Sequence, residues 1–511
     1  MSNVYVNIDI NTVLNPFVNA LASQKYIFEE MFYPIVDVYR NTHVTDVLID
    51  CFCQISVTDS KVFETVTQLA DYSEKTGRSI RIIDRFKGHV RAVKEFGIDP
   101  YDIWFKRVWS NGQRPWLSIR MNDAHPFQFL DEEELNAFHL KAVKNGWVLG
   151  KEYDWFRNCY DFRYEEVRQK MLDYISEQIN RYDVYGLELD FLRENQCFKY
   201  LTDNMDECTE IMNEFIRDVK KIVTEAEKIH GHSIKICVRV MRDMIHTKYY
   251  GFDPIVWDRE GLVDIVNPSP RFTGGDSGIP IAEWKKLLPN TEVVAGVESL
   301  LAYSSELDEQ LISTAAVRAL SAAYLDMGSD GMYFYNYYLN PDNEITKEGE
   351  PAGEPYARGL AVLSSCGDKD KLYNYPLRFT VIPQAGEGFA ACPEMWQPIP
   401  ARLDSEDKVF DIYTGKIPEG KLVSVIVGIE NGFEDAKIDI NGIDCTEWKD
   451  IDLSYIPGIG VQPKNYVSDR VKCCRCVLDN KILREKVQTV TIRSKANCNN
   501  AMIRWVEIVM I

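Results

Sequence analysis

The chain has 511 residues, of which 45% are hydrophobic and 27% are charged, and its formal net charge at pH 7 is -20. This composition is typical of a globular protein with two domains, because single hydrophobic cores stop growing near ~250–300 residues. The acidic balance disfavours nucleic acid as a partner, since an acidic surface repels phosphate backbones.

Short apolar segments recur along the first two thirds of the chain, and helical periodicity separates several of them. The predicted helices cover residues 61–75, 164–182, 206–231 and 308–328. The eight predicted strands are VYVNIDI (4–10), TDVLIDCFCQI (45–55), PWLSIRMND (115–123), YGLELDF (185–191), SIKICVRVM (233–241), LVDIVNPSP (262–270), TEVVAGVES (291–299) and GMYFYNYY (331–338).

Strands that alternate with helices predict a parallel sheet with helical crossovers, and eight strands are the number that closes a barrel. A doubly wound open sheet is the alternative. Its nucleotide-binding versions lack support, because no GxGxxG follows the first strand and no Walker A sequence occurs. We therefore predict an α/β fold in which residues 1–365 form a (β/α)8 TIM barrel that carries the active site.

The sequence changes character after about residue 365, where short β-rich runs with turn residues replace the helical pattern. The stretch TKEGEPAGEP (346–355) is predicted to be a loop after the eighth strand. Residues 370–511 are predicted to form an antiparallel β-sandwich. Its predicted strands lie in LRFTVIP, KLVSVIVGIE, AKIDING, VKCCRCVL, QTVTIRS and AMIRWVEIVMI.

Several features predict a cytoplasmic protein. The N-terminal MSNVYVNIDINTVLNP has no basic or long apolar region typical of a signal peptide, and no segment has the ~18 consecutive apolar residues of a membrane helix. The thirteen cysteines are predicted to be free thiols. Zinc at CCRC (473–476) is the less favoured alternative, because the spacing is not CxxC and the segment is predicted to be a strand.

The candidate active site lies at the C-terminal ends of the barrel strands. Because strand side chains alternate, Gly186, Glu188 and Asp190 share one face. Burying two unpaired acids against apolar helices is costly, so we predict that this face lines the barrel interior. The same reasoning applies to Gly296 and Glu298. Carboxylates gathered at one barrel mouth favour glycoside hydrolysis, which uses one acid to protonate the leaving oxygen and a second as nucleophile or base.

Three acids are the predicted catalytic residues. Asp190, the last inward residue of the fourth strand, is the first choice, and Glu298 is its predicted partner across the barrel. Glu188 lies one layer deeper. It is predicted to hydrogen-bond Arg120 or Arg239 or to position a substrate hydroxyl, and a purely structural role is the alternative.

A second set of polar and aromatic residues is predicted to bind substrate. Its arginines have two candidate roles, which are recognition of an anionic sugar and neutralisation of the carboxylates. The tyrosines are either a sugar platform or core residues. Asp123 and His125, which follow the third strand, are either functional or have structural roles, Asp123 as a helix cap and His125 as a loop residue. The set is Arg120, Asn122, Asp123, His125, Arg193, Arg239, Arg271, Tyr335, Asn336 and Tyr337.

Three motifs resemble a group of bacterial glycoside-hydrolase-like proteins with TIM-barrel folds. They are SIRMNDAH (118–125), GLELDFLR (186–193) and CVRVMRDMIHTKYYGFDPIVWDREGLVDIVNPSPRF (237–272), and the resemblance covers roughly residues 110–340. It implies a carbohydrate-active barrel with a C-terminal β-sandwich and a carbohydrate substrate.

The architecture is also similar to barrels that act on α-galactosides or α-fucosides, in which an Asp that ends the fourth strand is the nucleophile. This resemblance implies that role for Asp190. The galactosidase pattern has its acid/base after the sixth strand, where this chain has no acid before Asp276. A different barrel pattern has a nucleophilic Glu after the seventh strand, which Glu298 matches, but the Asn–Glu pair that it requires after the fourth strand is missing.

The sequence therefore predicts a glycoside hydrolase that needs no cofactor or metal and binds neither membranes nor nucleic acid. Two alternatives remain open. One is a non-catalytic carbohydrate-binding barrel, and the other is a barrel lyase or isomerase with a divalent metal bound by Asp190, Asp123 and His125. Assembly into a homo-oligomer is left open.

Overall fold

The computed structural model describes most of the chain. The described residues are 1–10, 16–78, 80–124, 137–270, 277–298, 300–301, 310–311, 314–335, 360–381, 398–451, 455–456, 460–461, 471–495 and 500–511.

Eight parallel strands form a closed barrel, in which each strand pairs with its neighbours in chain order and the eighth pairs with the first. This confirms the predicted fold and all eight predicted strands. Their bounds are β1 Asn3–Ile8, β2 Asp46–Asp50, β3 Arg114–Arg120, β4 Gly186–Asp190, β5 Lys235–Met241, β6 Ile265–Ser269, β7 Glu292–Glu298 and β8 Gly331–Tyr335.

Helices connect the barrel strands and pack around them. The long helix after β4 ends at Gly231, whose φ of 77° is the left-handed conformation that glycine adopts readily at a helix C-terminus. The helices are α1 Pro16–Ala20, α2 Pro34–Asp37, α3 Val66–Thr76, α4 Arg81–Phe96, α5 Pro100–Ser110, α6 Ala137–Asn145, α7 Glu165–Arg181, α8 Met205–His230, α9 Met244–Tyr249, α10 Pro254–Arg259, α11 Ile281–Leu287, α12 Thr314–Asp326 and α13 Lys369–Leu372.

The four predicted helices correspond to α3, α7, α8 and α12, and the other helices were not predicted. Both α4 and α5 lie between β2 and β3, where the sequence predicted only the helix that corresponds to α3. The helix predicted over 308–328 begins later, at Thr314, because Gln310–Leu311 pairs with Leu300–Leu301 in a short antiparallel ladder.

Side chains from the strands fill the lower part of the barrel. Trp116 on β3 packs there with Tyr5 and with Tyr333 on β8. A Cβ atom at Gly186 would lie 2.2 Å from the Trp116 ring, so only glycine leaves room for this indole. The Cβ position of Gly186 therefore faces the barrel interior. Because alternate residues of a strand share one face, the side chains of Glu188 and Asp190 also point inward, as predicted.

Two antiparallel sheets follow the barrel, which confirms the predicted C-terminal β-sandwich architecture. The bounds of the strands after the barrel are β9 Leu377–Val381, β10 Ala401–Arg402, β11 Lys408–Gly415, β12 Val423–Glu430, β13 Ala436–Ile440, β14 Ile443–Asp444, β15 Trp448–Asp450, β16 Tyr455–Ile456, β17 Gly460–Val461, β18 Val471–Val477, β19 Lys486–Ser494 and β20 Met502–Met510. One sheet has the order β9-β20-β12-β18-β15 with β10 paired to β20, and the other has the order β11-β19-β13-β14. A two-stranded ladder joins β16 and β17.

The barrel and the C-terminal sheets are in contact through α12, which packs against β9 and β11. Tyr413 on β11 donates a hydrogen bond to Asp326 at 2.8 Å. The domain boundary that we propose, between residues 365 and 370, lies between the last barrel strand and β9. The predicted loop 346–355 lies outside the described residues.

The cysteines in the described part of the chain are free thiols, and the CCRC segment lies within β18. Among the described residues, no helix combines the length and the apolar character needed to cross a membrane.

Candidate active site

The strand register brings predicted site residues to one level at the C-terminal end of the barrel. Arg120 on β3 is opposite Asp190 on β4, and Asp190 is opposite Arg239 on β5. On the other side, Glu298 on β7 is opposite Tyr335 on β8. Because parallel strands end at the same edge, residues far apart in sequence form one polar layer.

Asp190 is held by donors that converge on one of its oxygen atoms. Oδ1 accepts hydrogen bonds from the backbone amides of Leu192 and Arg193 at 2.9 and 3.0 Å, and Arg239 Nη1 lies 3.1 Å from it. Among the described residues, Oδ2 has a single, longer contact, 3.3 Å to the same Nη1. The carboxylate is therefore oriented through Oδ1, and Oδ2 is its less engaged oxygen.

Arg239 joins the two acids that the sequence predicts to work together. Its Nη1 pairs with Asp190 at 3.1 Å and its Nη2 lies 3.5 Å from Glu298 Oε2. The guanidinium carbon lies 3.5 Å from the centre of the Tyr335 ring. This contact covers one face of the Tyr335 ring, which is only 1% exposed, so the ring holds the arginine and the core role is the better supported of its two predicted roles.

Glu188 lies one layer below Asp190 and is completely buried. Its Oε2 accepts hydrogen bonds from Asn7 at 2.9 Å and Ser118 at 2.5 Å, and its Oε1 accepts one from Tyr333 at 2.5 Å. The predicted hydrogen bond to Arg120 or Arg239 is therefore wrong, because shorter side chains from β1, β3 and β8 surround this carboxyl. These contacts favour a positioning role below Asp190.

Burial, followed by the charge of Asp190, raises the pKa of Glu188 from 4.5 to about 7, although the Ser118 and Tyr333 hydrogen bonds act in the opposite direction. A raised folded-state pKa gives stability that is present below the unfolded value and lost as pH rises through the folded value. We expect the wild type to lose ~3 kcal/mol of folding stability between about pH 4.5 and pH 7 through this group.

The Glu188→Gln variant tests this expectation, because glutamine is uncharged at every pH. Unfolding midpoints measured from pH 4.5 to 8 should fall more steeply for the wild type than for the variant. Parallel profiles would show that Glu188 does not titrate in this range.

Arg120 is surrounded by three buried carboxylates. Its Nη2, Nε and Nη1 atoms each lie 2.8 Å from a different acid, namely Asp9, Asp50 and Asp123. Burial raises the pKa of Asp50 well above its usual range even though Arg120 acts to lower it. Arg193 lies 3.9 Å from Asp123 as a second, longer partner. Together with the Arg239 pairs, these contacts fit neutralisation of carboxylates, which is one of the two roles predicted for the arginines.

Asn122 was predicted to bind substrate, but protein groups occupy its carboxamide. Oδ1 accepts hydrogen bonds from Gln54 Nε2 and the Tyr160 amide, both at 2.9 Å. Nδ2 donates to the carbonyl oxygens of Tyr160 at 3.1 Å and Gln196 at 3.0 Å. The geometry therefore does not support a substrate-binding role for Asn122.

The described part of the chain includes some of the predicted binding residues and not others. His125, Arg271, Asn336 and Tyr337 lie outside it, as does Asp276. Their predicted roles therefore stay predictions. Within the described residues, no group of three or more His, Cys, Asp or Glu side chains is arranged to hold a metal ion.

Asp9 follows β1 and Asp50 ends β2, so both belong to the strand ends at which the sequence predicted the active site. The structure also adds residues that the sequence did not place there. Glu194 follows β4, is 2% exposed and accepts a 3.1 Å hydrogen bond from Trp155 Nε1. No sequence signal pairs Trp155 with Glu194, because Trp155 lies in the long segment that connects β3 and β4.

No family model and no curated protein matches the chain. Among solved structures, it is similar to Thermotoga maritima alpha-fucosidase in complex with fucose, with 10% identity, a TM-score of 0.35 and coverage of 96% of this chain and 94% of that one. Alpha-L-fucosidase isoenzyme 1 from Paenibacillus thiaminolyticus has 10% identity, a TM-score of 0.33 and 97% coverage of both chains. A GH138 enzyme targeting pectin rhamnogalacturonan II has 11% identity, a TM-score of 0.39 and coverage of 73% and 39%. These similarities are remote, and the barrel is established by its own strand pairing.

Proposed function

We propose that the protein is a glycoside hydrolase whose catalytic carboxylates are Asp190 and Glu298. The observation that carries this proposal is that two buried acids, one on β4 and one on β7, contact the same guanidinium, that of Arg239. Paired carboxylates at the mouth of a barrel are the arrangement that cleavage of a glycosidic bond requires.

The separation of the two acids is compatible with this chemistry. Because both contact one planar guanidinium, their nearest oxygen atoms lie no more than about 9 Å apart. Paired carboxylates of glycosidases are about 5–9.5 Å apart, over the retaining and inverting mechanisms together. The proposal therefore does not depend on which stereochemical outcome this chain produces.

The contacts suggest different roles for the two acids. Asp190 is fixed through Oδ1 and leaves Oδ2 lightly engaged, which suits a nucleophile or a base that activates water. Glu298 has a longer contact to Arg239, at 3.5 Å, and is proposed as the acid that protonates the leaving oxygen. Arg239 would then hold both carboxyl groups in one orientation relative to a bound sugar.

The charges of the described residues favour an uncharged sugar. Within the described part of the chain, the arginines of the layer are Arg120, Arg193 and Arg239, and each is within 4 Å of at least one carboxylate. The acids outnumber them, because Arg120 alone contacts three. An anionic sugar would therefore meet acids that already engage the guanidinium groups, so we propose a neutral glycoside as the substrate.

The experiment is a screen of the purified protein against a panel of aryl glycosides, followed by the Glu298→Gln variant. Loss of the general acid should lower kcat/KM by about 10²–10⁴-fold for glycosides with a sugar leaving group. The loss should be much smaller for dinitrophenyl glycosides, because this leaving group departs without protonation. Glu292→Gln, at the opposite end of the same strand, is the matched control and should keep wild-type activity.

A non-catalytic carbohydrate-binding barrel is the second candidate. The pairing of Asp190 and Glu298 with Arg239 favours it, because the positive charge of the arginine compensates the negative charges of both acids in a protein that catalyses no reaction. Saccharide binding in calorimetry, together with no hydrolysis of any glycoside on the panel, would support this candidate and contradict the hydrolase proposal.

A further inference from the structure

Asn122 connects three loops at the C-terminal end of the barrel. Gln54 belongs to the turn after β2, Tyr160 belongs to the hairpin loop (148–160) between β3 and β4, and Gln196 belongs to the loop after β4. Each forms at least one hydrogen bond of 2.9–3.1 Å with the Asn122 carboxamide. Since Asn122 itself follows β3, the three loops are tied to one point of the barrel.

The Asn122 carboxamide has no hydrogen-bonding capacity left for a ligand. A carboxamide offers two N–H donors and two acceptor lone pairs, and all four are used by the contacts to these loops. The side chain is fully buried. Breaking one of these hydrogen bonds would leave a buried polar group unsatisfied, so the connection is costly to open.

One of the connected loops has an unusual backbone conformation. Gln54 has a φ of 63°, in the left-handed region that residues other than glycine rarely adopt. It lies in the turn closed by the bridge between Phe52 and Ser56. A conformation of this kind persists when surrounding contacts hold it, and the 2.9 Å hydrogen bond from Gln54 to Asn122 is such a contact.

The other two loops carry groups of the candidate site. The hairpin loop is closed by the bridge between Val148 and Tyr160 and presents Trp155, whose Nε1 donates to Glu194. Glu194 belongs to the loop after β4, which also supplies the Arg193 amide that contacts Asp190 Oδ1 at 3.0 Å. The two loops are therefore joined at Asn122 and again through the Trp155–Glu194 hydrogen bond.

We propose that Asn122 is a positioning residue that fixes the loops after β2, β3 and β4 as one rigid wall of the active site. Through this wall it sets the location of Trp155 and Glu194 relative to the Asp190 carboxylate. The consequence for catalysis rests on the proposed glycoside hydrolase function, whereas the fixing of the loops does not.

The isosteric Asn122→Asp variant tests the proposal. Aspartate keeps both acceptor bonds but places an oxygen against the carbonyl oxygens of Tyr160 and Gln196, so the two hydrogen bonds that hold the hairpin loop and the loop after β4 to Nδ2 of residue 122 should be lost. Amide hydrogen exchange should accelerate about tenfold or more in residues 148–160 and 191–197, with the barrel strands unchanged. With a cleavable glycoside, kcat should fall about 10–100-fold, because small misplacements of positioning groups have effects of this size.

A second variant and a control keep the test decisive if Asn122→Asp folds poorly. Gln54→Gly removes one of the four hydrogen bonds and relieves the backbone strain, so it should fold and accelerate exchange in the 52–56 turn. Asn213→Asp is the matched control, because Asn213 is a buried amide on α8 that accepts from Trp257 and donates to Glu210. It should leave exchange in all three loops and kcat at wild-type values.

Two results would overturn the proposal. Exchange that accelerates equally in loops and barrel strands, with an unchanged kcat for the folded protein, would show that Asn122 serves only global stability. A raised KM with unchanged loop exchange would show that Asn122 contacts substrate directly. If the wild type cleaves no glycoside, the exchange measurement still tests the loops, so failure of the proposed function is distinguishable from failure of this inference.

Discussion

Replacing Asp190 with Asn is expected to lower the turnover of any glycoside that the wild type cleaves by about 10³-fold or more. Asparagine retains Oδ1, which accepts the hydrogen bonds from the amides of Leu192 and Arg193, so the local fold should persist. It replaces Oδ2, the less engaged oxygen, by an amide that can neither attack a sugar carbon nor take a proton from water. The measurement is kcat on the best aryl glycoside, with thermal unfolding to establish that the variant is folded.

The control for Asp190→Asn is Asp46→Asn. Asp46 is also a fully buried acid of the barrel interior, but it begins β2 at the opposite end of the barrel and accepts a hydrogen bond from Trp116. Loss of stability without loss of kcat is the expected outcome there. Equal kcat values for Asp190→Asn and the wild type would contradict the assignment of Asp190.

Most of the barrel could be predicted because its strands are buried on both faces. Such strands appear in the sequence as short apolar runs, and polar residues at their ends, such as Asp190 and Glu298, indicate the functional edge. Helices α4 and α5 were missed although one start signal was present. Asp99 caps α5 by accepting hydrogen bonds from the amides of Tyr101 and Asp102, and Pro100 occupies the first turn.

The contacts of the site could not be predicted, because they join residues that are distant in sequence. Glu188 is 181 residues from Asn7 and 145 from Tyr333, its hydrogen-bond partners. Alternation along a strand fixes the face that a residue occupies, but it does not select partners within a layer. Asn122 illustrates the limit, since its motif suggested a ligand contact and its carboxamide instead connects loops.

Replacing Arg120 with Met is expected to destabilise the protein by ~3–5 kcal/mol, because removal of one partner leaves buried charges uncompensated. Asp9, Asp50 and Asp123 are at most 2% exposed, and each lies 2.8 Å from the guanidinium. The measurement is the shift in the urea unfolding midpoint. Arg217→Met is the control. Arg217 pairs with two acids on the exterior, its side chain is 30% exposed, and its loss should change stability by less than ~1 kcal/mol.

The effect of Arg120→Met should depend on pH in a defined direction. Arg120 acts to lower the pKa of Asp50, which burial raises well above its usual range, so the variant should raise that pKa further. A carboxyl group with a raised folded-state pKa contributes stability at low pH that is lost as pH rises. The stability difference between the wild type and the variant should therefore stay constant while Asp50 is protonated in both folded proteins, and it should grow as pH rises beyond the folded-state pKa that Asp50 has in the wild type. Urea unfolding of both proteins from acidic to alkaline pH checks this. A difference that stays constant over the whole range would mean that Arg120 contributes through packing and not through the three carboxylates that surround it.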